Sequence, residues 1–128
     1  YTRDKKTEDL NLQNRGPVTI SSLRINELHT LSSDPHSLLV DLRSPESYQE
    51  KHLPSAINLP FESWQDNPEL LNQYRNRHIY LYCEHGNVSI LASRVLTEAG
   101  YQVVNLTGGI RSYRGCCLRS NTHSPNIS

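Results

Sequence analysis

The sequence has no excess charge of either sign and no long apolar run, and these two absences narrow the range of partners. Its 13 Lys and Arg residues balance 13 Asp and Glu residues, so the formal net charge is zero. A chain without a global electric field has no general attraction for nucleic acid, an anionic membrane or an acidic partner. No apolar stretch is long enough to span a bilayer, and the first residues contain no secretory signal. We therefore expect no nucleic-acid partner and no membrane contact for this form of the chain.

Cysteine is also scarce. The chain has three cysteines, Cys83, Cys116 and Cys117, an odd number without the regularly spaced pairs of a disulfide-rich secreted protein. This pattern favours a reducing, cytoplasmic location. The neighbouring Cys116 and Cys117 pair poorly, because consecutive Cα atoms lie about 3.8 Å apart and a disulfide needs roughly 4.4 to 6.8 Å. The sequence begins at Tyr1 rather than Met, which is compatible with a removed upstream anchor, leader or domain.

The length and composition fit one globular domain. A chain of 128 residues, 35% of them hydrophobic, can bury one core, whereas two separate cores would each be marginal. Residues 1–17 are polar and end in Gly16 and Pro17, so we expect a flexible N-terminal lead. We place the folded domain at residues 18–113 and a loose C-terminal tail at residues 114–128.

Strand-like and helix-like segments alternate along the domain. The predicted strands are residues 19–22, 37–41, an edge strand within 52–60, 78–82 and 101–106. The predicted helices are residues 22–31, a short one after Ser44, one in the second part of 61–74, one capped by Ser89 and closed by Gly100, and a short one within 110–113. This alternation predicts an α/β fold with a small, mostly parallel sheet flanked by helices on both faces.

Cys83 follows directly after the strongest strand signal, at the carboxyl end where parallel sheets bind ligands. A loop over residues 83–88 would aim backbone N–H groups and the positive end of the next helix dipole at the sulfur, which favours the nucleophilic thiolate. Gly86 and Asn87 tolerate left-handed backbone conformations, so they let a short loop curl. We predict an anion cradle that can hold a persulfide. The alternative is a cysteine that is simply buried at a strand end.

Residues 40–48 followed by 52–60, residues 82–89 and residues 105–110 resemble the rhodanese family. Residues 82–89 are similar to the active-site segment of bacterial single-domain thiosulfate sulfurtransferases. The resemblance spans about residues 18–113 and implies a rhodanese-like fold and sulfurtransferase activity. Sulfane sulfur would move from thiosulfate or a persulfide donor through a Cys83 persulfide to a thiol or cyanide acceptor, with a sulfur-relay protein as a further candidate partner. The thiolate and its cradle need no cofactor.

The resemblance also implies the roles of individual residues. Cys83 matches the persulfide-forming cysteine, and the loop that wraps it matches Glu84, His85, Gly86, Asn87, Val88 and Ser89. Asp41 and Arg43 match residues that support the pocket. For these two the alternatives are a turn cap for Asp41 and a structural ion pair for Arg43. His85 has the alternative of facing solvent, and we do not assign it a catalytic role.

The loop departs from the family pattern in its charge. Many thiosulfate-using relatives carry Arg or Lys there, whereas this chain has Glu84 and Val88. A carboxylate beside the cradle opposes both a thiolate and a doubly charged donor. We therefore expect thiosulfate to be a poor donor, with a thiol persulfide or a partner protein serving as well or better.

Competing functions remain open at the level of sequence. A cysteine phosphatase of related fold closes its loop with an arginine, but the sixth residue after Cys83 is Ser89, which cannot grip a phosphate as a guanidinium does. A rhodanese-like module can also act as a non-catalytic docking or regulatory domain. Cys116 and Cys117 have three interpretations: an incidental pair, resolving thiols, or zinc ligands together with Cys83 and His85.

Other conspicuous residues have ordinary structural interpretations. Phe61, Trp64 and Tyr82 are predicted to be core or pocket-wall aromatics. Tyr48 and the basic residues Arg111, Arg114 and Arg119 are predicted to be solvated surface.

Overall fold

Five strands form one parallel sheet in the part of the chain that the computed structural model describes, which is residues 20–30, 35–115, 118 and 120. The strands are β1 (Ser21–Arg24), β2 (Ser37–Asp41), β3 (Ile57–Asn58), β4 (His78–Tyr82) and β5 (Gln102–Thr107). The α-helices are α1 (Pro45–Glu50), α2 (Phe61–Trp64) and α3 (Asn87–Glu98), and 3-10 helices cover Ile25–Thr30, Pro68–Tyr74 and Ile110–Ser112. The predicted lead and most of the predicted tail lie outside the described residues.

The sheet brings the ends of three neighbouring strands together. Its order is β1-β5-β4-β2-β3, with every pair parallel. In the register, Asp41 of β2 lies beside Tyr82 of β4, and Leu81 lies beside Asn105 of β5. Because all strands run the same way, the residues that follow β2, β4 and β5 meet at one edge of the sheet. The segment after β4 begins with Cys83.

Side chains of β4 alternate between two buried clusters, one on each face of the sheet. Ile79 and Leu81 pack with Ala92 and Leu96 of α3 on one face. Tyr82 points to the other face, where the cluster also contains Ile25, Leu53, Ala56, Leu106 and Ile110. The predicted α/β fold, with a parallel sheet flanked by helices on both faces, is confirmed. None of the helices in the described ranges combines the length and apolarity needed to cross a membrane.

Several predicted elements are confirmed at the level of single residues. The strands predicted at residues 37–41 and 78–82 have those bounds as β2 and β4. The edge strand predicted within residues 52–60 is β3. Ser44 caps α1, since its side chain accepts a hydrogen bond from the Ser47 N–H group at 3.2 Å. Gly100 follows α3 with φ of +93°, the left-handed conformation expected at a helix end.

The helix predicted over residues 22–31 is wrong in its start and its type. Strand β1 continues to Arg24, because residues 21–24 pair with β5 in register with residues 104–107. The helical part then begins at Ile25 and has 3-10 geometry. Pairing with β5 therefore overrides the local helical spacing of leucines. In residues 61–74 the predicted turn and helix are instead the short α2 followed by a 3-10 helix that opens at Pro68.

We predict that Leu96→Ala destabilises the protein far more than Leu91→Ala, although both lie in α3. The Leu96 side chain is fully buried between α3 and the sheet, whereas Leu91 is 55% exposed. Truncating a buried leucine costs about 2 to 5 kcal/mol of unfolding free energy, and truncating an exposed one costs less than about 0.5 kcal/mol. Urea unfolding followed by circular dichroism measures both. Equal losses would contradict the packing of α3 against the sheet.

Candidate active site

Cys83 lies at the carboxyl end of β4, and its side chain is buried within the loop that follows. The backbone N–H groups of Gly86 and Ser89 both donate to its Sγ atom, at 3.1 and 3.3 Å. Gly86 has φ of +108°, so the chain turns back on itself at the residue predicted to allow it. Two backbone amides, one in this loop and one in the first turn of α3, therefore point at one sulfur. We call residues 83–88 the cysteine loop.

Helix α3 begins three residues earlier than predicted, because its N-cap residue is Gly86 and not Ser89. Gly86 is the N-cap residue and has no side chain with which to cap. The third helical residue, Ser89, donates its N–H group to Cys83 Sγ instead, which is the hydrogen bond that an N-cap side chain normally accepts. Ser89 is thus not the cap that the sequence predicted. It is buried, and its hydroxyl group donates to the Gly86 carbonyl at 3.2 Å.

Asn87 also differs from its predicted role. It is the first residue of α3, and among the described residues Ser55 is the non-glycine residue with positive φ. Gly86 alone therefore provides the left-handed turn in the cysteine loop. The remaining loop residues divide by exposure: His85 faces solvent, which was the alternative for it, and Val88 is partly buried against the core.

A second loop holds the cysteine loop from outside. The Ile110 N–H group donates to the Cys83 carbonyl at 2.9 Å, and the Arg111 N–H group donates to the Glu84 carbonyl at 3.0 Å. Between β5 and these residues lies the predicted Gly108-Gly109 turn. Gly109 has φ of +67° and ψ of 176°, a conformation that is nearly exclusive to glycine. A Cβ atom on Gly109 would overlap the Glu84 carbonyl group and lie 2.6 Å from the His85 nitrogen.

Asp41 and Arg43 form a buried ion pair one strand away from Cys83. Arg43 donates from Nη2 to Asp41 Oδ2 at 2.8 Å and from Nε to Asp41 Oδ1 at 3.0 Å. Arg43 is 8% exposed and Asp41 is fully buried. Arg43 Nη2 also donates to the Lys51 carbonyl at 2.6 Å, so its guanidinium is fixed at both ends. The structural ion pair weighed from the sequence is therefore present, and it lies within the site.

Tyr82 connects this ion pair to the chain before β3. Its hydroxyl group donates to Asp41 Oδ2 at 2.7 Å and accepts the Leu53 N–H group at 3.0 Å. Burial, and next the negative charge of Asp41, raise the pKa of Tyr82, so the phenol keeps its proton. Burial would lower the pKa of Arg43, but the hydrogen bonds and charge of Asp41, together with Glu84, outweigh burial and raise it. Both donors are thus in their protonated form.

Glu84 joins the ion pair to the outer loop. Its Oε1 atom lies 3.1 Å from Arg43 Nη1, and its Oε2 atom lies 3.0 Å from Arg111 Nε. The sequence predicted Glu84 as a carboxylate that opposes anions, but here two guanidinium groups neutralise it. Arg111 is 65% exposed, as predicted, but its ion pair with Glu84 was not foreseen from the sequence. Arg111 comes directly after the turn that follows β5, and β5 ends at the same edge of the sheet as β4. This position in the sequence could have predicted that Arg111 lies near the cysteine loop.

The other predicted residues have simpler outcomes. Trp64 and Tyr82 are buried, and Phe61 packs edge-on against Trp64 with ring centroids 5.0 Å apart, so the prediction of core aromatics is confirmed. Cys116, Cys117 and Arg119 lie outside the described residues. Among the residues that are described, no group of three His, Cys, Asp or Glu side chains could hold a metal ion.

Comparison with known proteins assigns the family. The family model of the rhodanese-like domain matches residues 25–116, so the chain belongs to the rhodanese-like domain family. It is 33% identical over 72 residues to the thiosulfate sulfurtransferase PspE of Escherichia coli, covering 56% of this chain and 69% of that protein. It is also 33% identical over 88 residues to a tRNA sulfurtransferase of Desulfurococcus amylolyticus, of which it spans only 17%.

A solved structure agrees with this assignment. The rhodanese-like domain protein from Staphylococcus aureus superposes with a TM-score of 0.68 at 27% identity, covering 79% of this chain and 98% of that one. The rhodanese-like fold that the sequence resemblance implied is confirmed.

We predict that Gly109→Ala disrupts the cysteine loop, whereas Gly100→Ala does not. Both glycines have positive φ, so alanine has a backbone-strain cost on the order of 1 to 3 kcal/mol at either position. Only at Gly109 would the added Cβ also overlap the cysteine loop, since the nearest atom at Gly100 is Arg75 Nη1, 3.5 Å away. Urea unfolding and the alkylation rate of Cys83 by iodoacetamide measure the two effects. Identical behaviour of the two variants would contradict the bracing role of the second loop.

Proposed function

We propose that this domain is a sulfurtransferase that carries a sulfane sulfur on Cys83 as a persulfide. The observation that supports the proposal best is the position of the Cys83 sulfur, which accepts two backbone N–H groups at the start of α3. Backbone amides and a helix N-terminus stabilise negative charge without giving up a proton. A sulfur in such a place is suited to be a thiolate nucleophile and a good leaving group in turn.

The reaction has two displacement steps. In the first, the Cys83 thiolate attacks the outer sulfur of the donor. The S–S bond of the donor breaks, and its electron pair leaves with sulfite if the donor is thiosulfate, or with a thiolate if the donor is a thiol persulfide. In the second step, a thiolate or cyanide attacks the outer sulfur of the Cys83 persulfide. The Cys83 thiolate leaves, and the product is a new persulfide or thiocyanate.

The same N–H groups serve both steps. A persulfide anion carries its negative charge on the outer sulfur, whereas the attacking thiolate carries it on Sγ, so the anion to be stabilised moves outward by one S–S bond. The Gly86 and Ser89 amides donate to Sγ, from the cysteine loop and from α3, and would lie next to an outer sulfur bonded to it. Because a curled backbone supplies the donors, their direction is fixed before the donor arrives and needs little reorganisation.

The charge of the site bears on which sulfur donors it can accept. Asp41, Arg43, Glu84 and Arg111 form one connected set of two carboxylates and two guanidinium groups, whose charges sum to zero. This set has no surplus positive charge with which to hold a dianion, although it does not repel one either. Thiosulfate, named as the substrate of the Escherichia coli relative, is thus one candidate donor. We expect a thiol persulfide or a sulfur-relay protein to donate sulfur to Cys83 as well as thiosulfate does, or better.

We predict that the intact protein gains one sulfur, about 32 Da, on incubation with thiosulfate or a thiol persulfide, and that a reductant removes it. Peptide mapping should place the added mass on Cys83. Cys83→Ser should abolish the gain, whereas the double variant with Cys116→Ser and Cys117→Ser should retain it. No gain with either donor would favour a docking module, and a gain confined to Cys116 or Cys117 would contradict the assignment of the nucleophile.

A further inference from the structure

Arg111 differs from Arg43 in what holds it. Both guanidinium groups bind the Glu84 carboxylate, at 3.0 and 3.1 Å. Arg43 is 8% exposed and is fixed by Asp41 as well, whereas Arg111 is 65% exposed. The position of Arg111 beside the site is nevertheless set by the backbone, because its own N–H group donates to the Glu84 carbonyl and the preceding Ile110 N–H group donates to the Cys83 carbonyl.

Of the charged groups near Cys83, Glu84 and Arg111 are therefore the ones that can change partner at little cost. The buried Asp41–Arg43 pair cannot change partner without leaving a buried charge unpaired, which is strongly unfavourable. Glu84 and Arg111 face solvent, at the edge of the sheet from which a donor approaches. Loss of Arg111 would leave Glu84 with only Arg43, which is already paired with Asp41, and loss of Glu84 would leave Arg111 without this carboxylate. Either change shifts the local charge by one unit beside the residue that follows Cys83.

We propose that Arg111 determines donor specificity by offsetting the carboxylate of Glu84, so that anionic sulfur donors are admitted to Cys83. This inference rests on the proposed function, because it names the donor class of the same site. Without Arg111, Glu84 would repel an anionic donor more than a neutral one. Without Glu84, Arg111 and Arg43 would attract the anionic donor. Without both, the local charge would return to its original balance.

The test compares two alkylating reagents of similar size and different charge. The Cys83 thiolate attacks the methylene carbon of iodoacetate or iodoacetamide, and iodide leaves in both cases. The ratio of the two rate constants reports the charge that a donor meets, since the fraction of thiolate and the openness of the loop affect both reagents alike. Background substitution of Cys116 and Cys117 by serine confines the reaction to Cys83.

For Arg111→Gln we expect the ratio of iodoacetate to iodoacetamide rates to fall about two- to fivefold, and for Glu84→Gln to rise by a similar factor. The double variant should return to within about twofold of the original ratio. Arg111→Lys keeps the charge and should keep the ratio. In 1 M salt the differences should shrink, because the Debye length falls from about 10 Å at 0.1 M to about 3 Å. The KM for thiosulfate should rise in Arg111→Gln with little change in kcat.

Glu98→Gln is the matched control for the change in total charge. Glu98 is the exposed last residue of α3, roughly 16 Å along the helix axis from Asn87. Its ratio should not change. An unchanged ratio in Arg111→Gln would overturn the inference, as would a double variant that differs from the original chain as much as the single variants do. A Cys83 that reacts with neither reagent would also overturn it.

Failure of this inference is separable from failure of the proposed function. Alkylation requires an accessible thiolate but no sulfur transfer. If Cys83 accepts sulfur but substitution of Arg111 leaves the ratio of iodoacetate to iodoacetamide rates unchanged, only the inference about Arg111 is wrong. If the ratio responds as expected while Cys83 accepts no sulfur from any donor, the proposed function is wrong and the charge balance of the loop stands by itself. A variant that lost its selectivity by unfolding would react faster with both reagents.

Discussion

The hydrogen bond from the Ser89 N–H group to the Cys83 sulfur connects the chemistry of this domain to its folding. It joins the end of the central strand β4 to the first turn of α3, and it takes the place of a side-chain cap that Gly86 cannot provide. Negative charge on the sulfur would strengthen this contact, because the N-terminus of a helix favours an anion. A negative charge on Cys83 would therefore stabilise the first turn of α3, and a formed first turn would stabilise that charge.

The surrounding loops depend on that arrangement. The parallel sheet places the ends of β2, β4 and β5 side by side, and charged groups then connect them: Arg43 reaches Asp41 and Glu84, and Glu84 reaches Arg111. Burying the Asp41–Arg43 pair has a desolvation cost that offsets the attraction between the two charges. We therefore expect the pair to orient the side chains of the site more than it stabilises the fold. With Tyr82 donating to Asp41, the pair has little freedom to rearrange. The cysteine loop is thereby held between a rigid buried ion pair and a glycine turn that admits no side chain.

Much of this could be predicted from the sequence, because the signals were local. The alternation of strands and helices, the capped start of α1 and the place of Cys83 at a strand end each depend on a few neighbouring residues. The first helix was misplaced because strand pairing between β1 and β5 is a contact across more than 80 residues, which no local pattern contains. Ser89 was misassigned as a cap because the rule for capping residues considers oxygen-bearing side chains next to the helix, and here a sulfur from outside the helix accepts the bond.

The charge balance of the site was hidden for a similar reason. Glu84 was correctly placed beside the nucleophile, but its two arginine partners come from positions 41 and 27 residues away in the chain. A carboxylate considered by itself predicts repulsion of anions, whereas the same carboxylate between two guanidinium groups does not. The electrostatic character of such a site is a property of the folded edge of the sheet and not of the loop sequence.

NMR can test directly whether the Gly86 and Ser89 amides hold the sulfur anion. Amide proton shifts of Gly86 and Ser89 would be compared before and after Cys83 is loaded from a persulfide donor, in a chain with serine at positions 116 and 117. We expect both resonances to move together on loading and to return on reduction, while amides at the far end of α3 stay in place. Loading that is complete by mass yet leaves both resonances unchanged would contradict it.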